Sequence, residues 1–381
     1  MHKAQSEDSW PEEVLEAPTM SMSQSFTLEQ LREDLIPPSY SDISTARELP
    51  QTTPSRQRAS ISAQSLDQDE YLPGKLSHVS QEELPEKTVL YLAYGSNLAS
   101  KTFLGMRGIK PLSQLSVLVP ELRLTFDLPG LPYLEPCFAG THFRKPHATE
   151  AESHTLDDPS ISEKDSLLDG QHQKCDQGRY KGPLIGVVYE VTLSDYAKII
   201  ATEGGGRGYK DIVVTCYPFS SSYDPHDPVP ERPETQPMKA HTLLSPAGME
   251  ELRQPQTGSD PHVRPNPRHA QPSARYLNLI TTGAEEHNLP LVYREYLSQI
   301  QPYRITSLRQ KVGKGVFVTI WGPMLLLTLA LSRIFAGPDG RSPGWVVWFA
   351  DSVLSSMWWC YDHVMRPLFG DGERTIERYG S

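Results

Sequence analysis

Apolar and polar positions divide the chain into three regions of different character. Residues 1 to 86 are rich in Ser, Gln, Glu and Pro and show no sustained periodicity, which predicts a disordered tail. Its one local signal is Thr27-Leu28-Glu29-Gln30-Leu31, where Thr27 caps a brief helix and Gln30 completes a capping box. At Lys87 the pattern changes. Thr88 to Tyr94 is a continuous apolar run ending in Gly95-Ser96-Asn97, which reads as a buried strand and a turn. Leu115–Phe126, Leu184–Val191, Asp211–Tyr217 and Ala240–Leu244 read as further strands, with a short helix from Thr192 or Ser194 through Ile200. Helical spacing recurs over Ala274–His287, and Pro290 opens a second helix through Ile300. Polar stretches at about 145–181 and 218–272, full of Pro, His, Ser and Asp, read as surface insertions in one domain spanning 87–304.

The third region, 305–381, is different again. No Asp, Glu, Lys or Arg interrupts Gly315 to Ser332, and the run extends to Phe335. At ~1.5 Å per residue it is long enough to cross a hydrocarbon layer of ~30 Å, and Pro323 is tolerable inside such a helix. Arg304, Arg309, Lys311 and Lys314 precede it whereas Arg333 and Arg341 follow, a bias that places the preceding domain in the cytosol. Gly344 to Met365 is aromatic-rich but carries Asp351 and Asp362. It can return through the bilayer as a hairpin or lie in the interface; Asp351 favours the interface.

Charge sharpens this division. Of the net charge of −11 over 381 residues, the first 86 residues hold −10, from sixteen acidic and six basic side chains. The remainder is close to neutral, which argues against nucleic acid as a partner of the folded part, since phosphate contacts need a clustered basic surface. Pro37-Pro38-Ser39-Tyr40 in the tail is a PPxY sequence, suited to the groove of a WW domain. The four cysteines (137, 175, 216 and 360) have no metal-ligand spacing and suit a reducing compartment. No metal or cofactor is expected.

Three patches can carry chemistry. In Tyr94-Gly95-Ser96-Asn97-Leu98 a Gly and small polar residues follow a buried strand, so backbone N–H groups can turn into a pocket as a nest for a carboxylate or oxyanion. Most such turns only reverse the chain. In Ala201 to Tyr209, Glu203 stands before a Gly run; this is neither a phosphate loop nor a dinucleotide fingerprint, and alone it reads as a surface Glu at a helix end. Tyr276 to Tyr296, with Gly283-Ala284, His287 and Asn288-Leu289-Pro290-Leu291, alone reads as helix packing.

Taken in order, these patches resemble the γ-glutamylcyclotransferase family. Tyr94-Gly95-Ser96-Asn97 is similar to its opening strand-turn and Gly186-Val187-Val188-Tyr189 to its central strand. Glu203-Gly204 through Tyr209 is similar to its catalytic segment, and Tyr276 to Tyr296 to its final helices. The Glu203 loop departs from the pattern in being a residue shorter and unusually Gly-rich, and the insertions and membrane segment are foreign to compact members; they resemble fungal relatives. The resemblance implies an α+β fold, a small mixed β-barrel with flanking helices. It implies release of 5-oxoproline and a free amine from a small γ-glutamyl substrate. Glu203 would be the acid/base; Tyr94, Gly95, Ser96, Asn97 and Leu98 would bind the glutamyl head, and Tyr209 would close the pocket. Two other readings stay open: a non-catalytic membrane-tethered interaction protein on a degenerate form of this fold, and a γ-glutamylamine cyclotransferase.

Overall fold

A computed structural model describes residues 49–64, 87–144, 180, 182–202, 210–231, 233–244, 264, 266, 269–335, 337 and 342–376. The predicted Thr27–Leu31 turn, the Pro37–Tyr40 motif and nearly all of the first insertion lie outside these residues.

Five strands close into a barrel in the order β1-β5-β2-β6-β7. β1 (Thr88–Ala93) pairs antiparallel with β5 (Leu184–Thr192), from Thr88↔Thr192 to Ala93↔Val187. β5 continues into β2 (Ser113–Val119), and β2 meets β6 (Lys210–Pro218) only at Val117↔Pro218 and Leu118↔Tyr217. β6 pairs fully with β7 (Met238–Leu244), which closes on β1 in parallel at Tyr91↔His241. The near-continuous apolar runs of β1 and β5 follow from burial on both faces. Gly186 on β5 is required by contact: a Cβ there would stand 2.4 Å from the Ala93 carbonyl oxygen.

The predicted strand Leu115–Phe126 is two strands, because Pro120-Glu121 turns the chain between β2 and β3 (Leu122–Leu131). β3 pairs with β4 (Glu135–Phe143), which the sequence reading missed, in a hairpin separate from the barrel ladder. β7 contains the predicted strand Ala240–Leu244, which lies within the polar stretch 218–272.

The polar tail was expected to run to residue 86, yet residues 49–64 lie against the barrel. Thr53 caps α1 (Pro54–Ala59), with Pro54 at the first helical position. Thr52 and Ser113 hydroxyls meet at 2.9 Å, and the backbone N–H of Lys239 donates to the Ser60 hydroxyl. Arg56 Nε lies 2.9 Å from Glu190 Oε1. Burial pushes the Glu190 carboxyl up, but hydrogen bonds from Thr88, Ser113 and Arg56 outweigh it and hold the group below its ordinary value.

Helices α2 (Leu193–Thr202), α3 (Ala274–Glu286) and α4 (Leu291–Gln299) flank the barrel. Asn288, at φ 46°, ends the α3 segment in the left-handed region that Asn tolerates. Beyond them, α5 (Leu308–Ile334) is opened by a Ser307/Gln310 capping box. Leu308–Ser332 has mean hydropathy 1.8 and only 6% of its apolar window is buried, so it is no core helix; it is long and apolar enough to cross a membrane. Gly344 to Phe369 is helical throughout: α6 (Gly344–Cys360), a wider turn over Tyr361–Met365, then α7 (Arg366–Phe369).

Candidate active site

Strand direction places the predicted patches. β1 ends at Ala93, so Tyr94–Leu98 leaves the barrel at the end where β7 finishes and β6 begins, at Lys210↔Leu244. α2 starts from the opposite end of β5 and returns along the barrel. It ends at Thr202, and the next described residue, Lys210, begins β6 at that same end. Glu203 and Tyr209 themselves lie outside the described residues.

The Tyr94–Leu98 turn is held from several sides. The Tyr94 hydroxyl donates to the Leu243 carbonyl at 2.6 Å, linking the turn to the residue paired with Asp211. Ser96–Leu98 forms a single tight helical turn, closed by Leu98 N–H to Gly95 C=O and Ala99 N–H to Ser96 C=O. Those amides close the turn itself. Asn97 is buried and donates from Nδ2 to the Tyr91 hydroxyl at 2.8 Å. Gly95 admits little else: a Cβ would lie 3.3 Å from the Tyr276 hydroxyl and 3.4 Å from the Ala139 Cβ.

α3 forms the back of this turn, so the patch that alone read as helix packing is what fixes it. At Gly283 a Cβ would fall 2.4 Å from the Leu98 carbonyl carbon and 2.5 Å from the Ala99 nitrogen, and only glycine lets the helix come so close. The Glu286 carboxylate accepts from Ser100 N–H at 2.8 Å. His287 Nε2 lies 3.1 Å from the Leu98 carbonyl and 2.7 Å from the Tyr189 hydroxyl. A carbonyl can only accept, so Nε2 carries the hydrogen. Burial lowers the pKa of His287, with the Leu98 carbonyl opposing, and burial drives the Tyr189 hydroxyl far up. Both groups are neutral at pH 7.

Sequence reasoning missed a second set of polar residues at this end of the barrel. Asp211, the second residue of β6, is buried; it accepts from the Tyr196 hydroxyl at 2.5 Å and lies 3.1 and 3.2 Å from His241 Nδ1. Tyr196 packs its ring against both Tyr91 and His241, at 5.9 and 5.7 Å between centroids. With Asn97 on Tyr91, the turn, α2, β6 and β7 are thus joined through buried polar side chains. A buried Asp is costly unless hydrogen-bonded, and here it is. The one available signal was Lys210-Asp211 entering an apolar strand. Among the described residues, no cluster of three or more His, Cys, Asp or Glu side chains could hold a metal ion.

Comparison with known proteins adds an independent line. Residues 307–368 match the family described as the AclK C-terminal domain. Over 293 residues the chain is 32% identical to the γ-glutamyl cyclotransferase gliK of Aspergillus fumigatus, covering 76% of this chain and 90% of that protein. Over 294 residues it is 31% identical to the γ-glutamyl cyclotransferase aclK of Aspergillus oryzae, covering 76% and 91%. A solved γ-glutamyl cyclotransferase structure overlaps 58% of this chain and 92% of its own, at 18% identity and a TM-score of 0.35, too loose an overlap to carry an argument.

Proposed function

Because the chain belongs to the γ-glutamyl cyclotransferase family, we propose that it releases 5-oxoproline and a free amine from a γ-glutamyl compound: glutathione, a γ-glutamyl peptide or a glutathione conjugate. The α-amine of the glutamyl group attacks its own γ-carbonyl carbon, forming the ring C–N bond. Collapse of the tetrahedral intermediate breaks the γ-amide C–N bond. The attack is intramolecular, so holding the glutamyl chain folded supplies an effective molarity on the order of 10⁵ M or more.

Glu203 takes the proton lost by the attacking amine and returns it to the leaving amine. Tyr94–Leu98 holds the glutamyl head and the developing oxyanion. Tyr209 covers the pocket. The observation that carries this reading is topological: the chain that follows Glu203 enters β6 at the barrel end where the Tyr94–Leu98 turn leaves β1. The Tyr196–Asp211–His241 set supports it by fixing the start of β6 beside that turn. α5 tethers the barrel to a membrane, with the barrel in the cytosol, and the Pro37-Pro38-Ser39-Tyr40 sequence is a ligand for a WW-domain protein there.

The test is mass spectrometry of the detergent-solubilised full chain incubated with glutathione, γ-glutamyl dipeptides, glutathione conjugates and γ-glutamylamines. 5-Oxoproline from any of the first three is the expected result, and the best substrate narrows the class. Product from γ-glutamylamines alone would replace the substrate assignment, and none from any substrate would favour the non-catalytic tethered protein.

A further inference from the structure

We propose that α5 and α6 cross the membrane together as a helical hairpin, so that the barrel and the C-terminal segment face the same side. The proposal rests on the tethering role of α5 and adds a second crossing, whose partner is a lipid bilayer.

Four observations carry it. The helices are antiparallel: Phe317 near the start of α5 clusters with Met357, Trp358, Tyr361 and Met365 late in the second helix, while Phe335 and Trp345 pack at 4.9 Å at the far end. The contact is continuous, since Val346, Ala350, Val353, Met357, Tyr361 and Met365 form one buried stripe at three- and four-residue spacing.

The chain also returns to where it left. After α7, Gly372 C=O accepts from Tyr133 N–H at the β3–β4 tip, and Gly370 C=O from the Tyr133 hydroxyl, both at 2.8 Å. Gln310, at the start of α5, donates to the Asp371 carbonyl at 2.7 Å. Arg264 pairs with Asp362 at 2.7 Å and with Glu373 at 2.9 Å, its guanidinium 3.9 Å over Trp358. A helix that leaves the barrel and crosses a bilayer must therefore be followed by one that comes back.

The outer surface suits lipid. Val318, Ile320, Leu326, Leu327, Leu329 and Trp348 are 42–71% exposed, with no partner surface among the described residues. Their chemistry is the reverse of a soluble surface and matches hydrocarbon. At ~1.5 Å per residue the 27 residues of α5 span about 40 Å, enough for the hydrocarbon and one headgroup layer. Exposed Trp345 and Trp359 stand at the two ends of α6. Arg309, Lys311 and Lys314 lie at the barrel end of α5, complementary to an anionic cytosolic leaflet. Asp351, the acid that favoured an interfacial helix, is half-buried and does not belong to the exposed face.

The experiment uses the full chain in sealed microsomes, with epitope tags at both termini and an N-glycosylation acceptor inserted between α5 and α6. Alkaline carbonate extraction first reads the tether. The expected result is a carbonate-resistant chain whose two tags are both digested by added protease and whose inserted acceptor is glycosylated. A resistant chain with a protected C-terminal tag would mean one crossing and overturn the hairpin alone. A resistant chain with both tags digested and the acceptor unmodified would lay the helices in the interface and also overturn it. A chain released by carbonate would overturn the tether as well, and a soluble dimer would then assign the exposed face to a second copy.

Discussion

The barrel and the helical hairpin use apolar residues in opposite directions. In the barrel they point inward: Leu92, Val117, Val119, Leu184, Ile185 and Val187 are fully buried. In the hairpin only an inner stripe is covered, while Leu326, Leu329 and Trp348 face out. The two also differ in how they use buried polarity. At the barrel end one buried carboxylate, Asp211, sits among Tyr196 and His241, beside a turn held by Asn97 and His287. At the hairpin base a full cation, Arg264, is set against two carboxylates. On the proposed reading the first end holds the site and the second is a joint whose charges are neutralised. That difference separates chemistry from anchoring.

The comparison can be broken most severely at Glu203. Glu203→Gln is expected to lower kcat by roughly 10²–10⁴-fold, the usual worth of a general acid/base, with an unchanged circular dichroism spectrum. Next is Arg264→Ala, which leaves Glu373 buried and Asp362 partly buried without their cation. We expect a loss of about 3 kcal/mol in the stability of the hairpin joint, read as protease susceptibility at the C-terminal segment, with cyclotransferase activity retained. A fall in activity as large as the fall in protection would mean that joint and site are not separate.

Gly283→Ala tests the opposite side. The methyl would press on the Leu98 backbone, and a cost of about 1–3 kcal/mol is expected, with a raised KM because the turn is displaced. Asp211→Asn removes a charge but keeps an acceptor, and a drop of about tenfold in kcat/KM is expected, a loss of about 1.4 kcal/mol.

The smallest effect is a difference in acid sensitivity. His287 has a lowered pKa in the fold, so the unfolded chain binds its proton first. Its contribution to stability is complete above about pH 6.5 and is lost as pH falls below that value. Burial raises Asp371, but the hydrogen bond to His269 and the amides of Glu373 and Arg374 bring it down to about 2. Its contribution is complete above about pH 4 and is lost only as pH falls toward 2. Hydrogen exchange should therefore show the α3–turn contact loosening between pH 7 and 5 while the hairpin base stays protected. Simultaneous loosening would contradict the separation.

Sequence and structure agree where apolar periodicity was strong. β1, β5, α3 and α5 were legible because long runs of one period leave a single way to bury them. β4 was not, since Glu135–Phe143 mixes Pro, Cys, Gly, Thr and His, and its pairing with β3 is a tertiary event. Residues 49–64 were read as tail because they are polar; what orders them is Arg56 on Glu190 and hydroxyl contacts, which leave no hydrophobic trace. At the candidate site the Tyr94–Leu98 turn was legible as a motif, but its clamp by Gly283 and His287 was not. Nor was the pairing of Asp211 with His241, 30 residues apart and joined only by the β6–β7 ladder.

In the proposed mechanism one carboxylate moves the proton in an intramolecular cyclisation. The most direct measurement compares 5-oxoproline release by the full chain and by Glu203→Gln, on the best substrate, at matched folded concentration. Rapid product from the first and only background from the second is expected. Equal product from a folded Glu203→Gln enzyme would move the acid/base role elsewhere and contradict it.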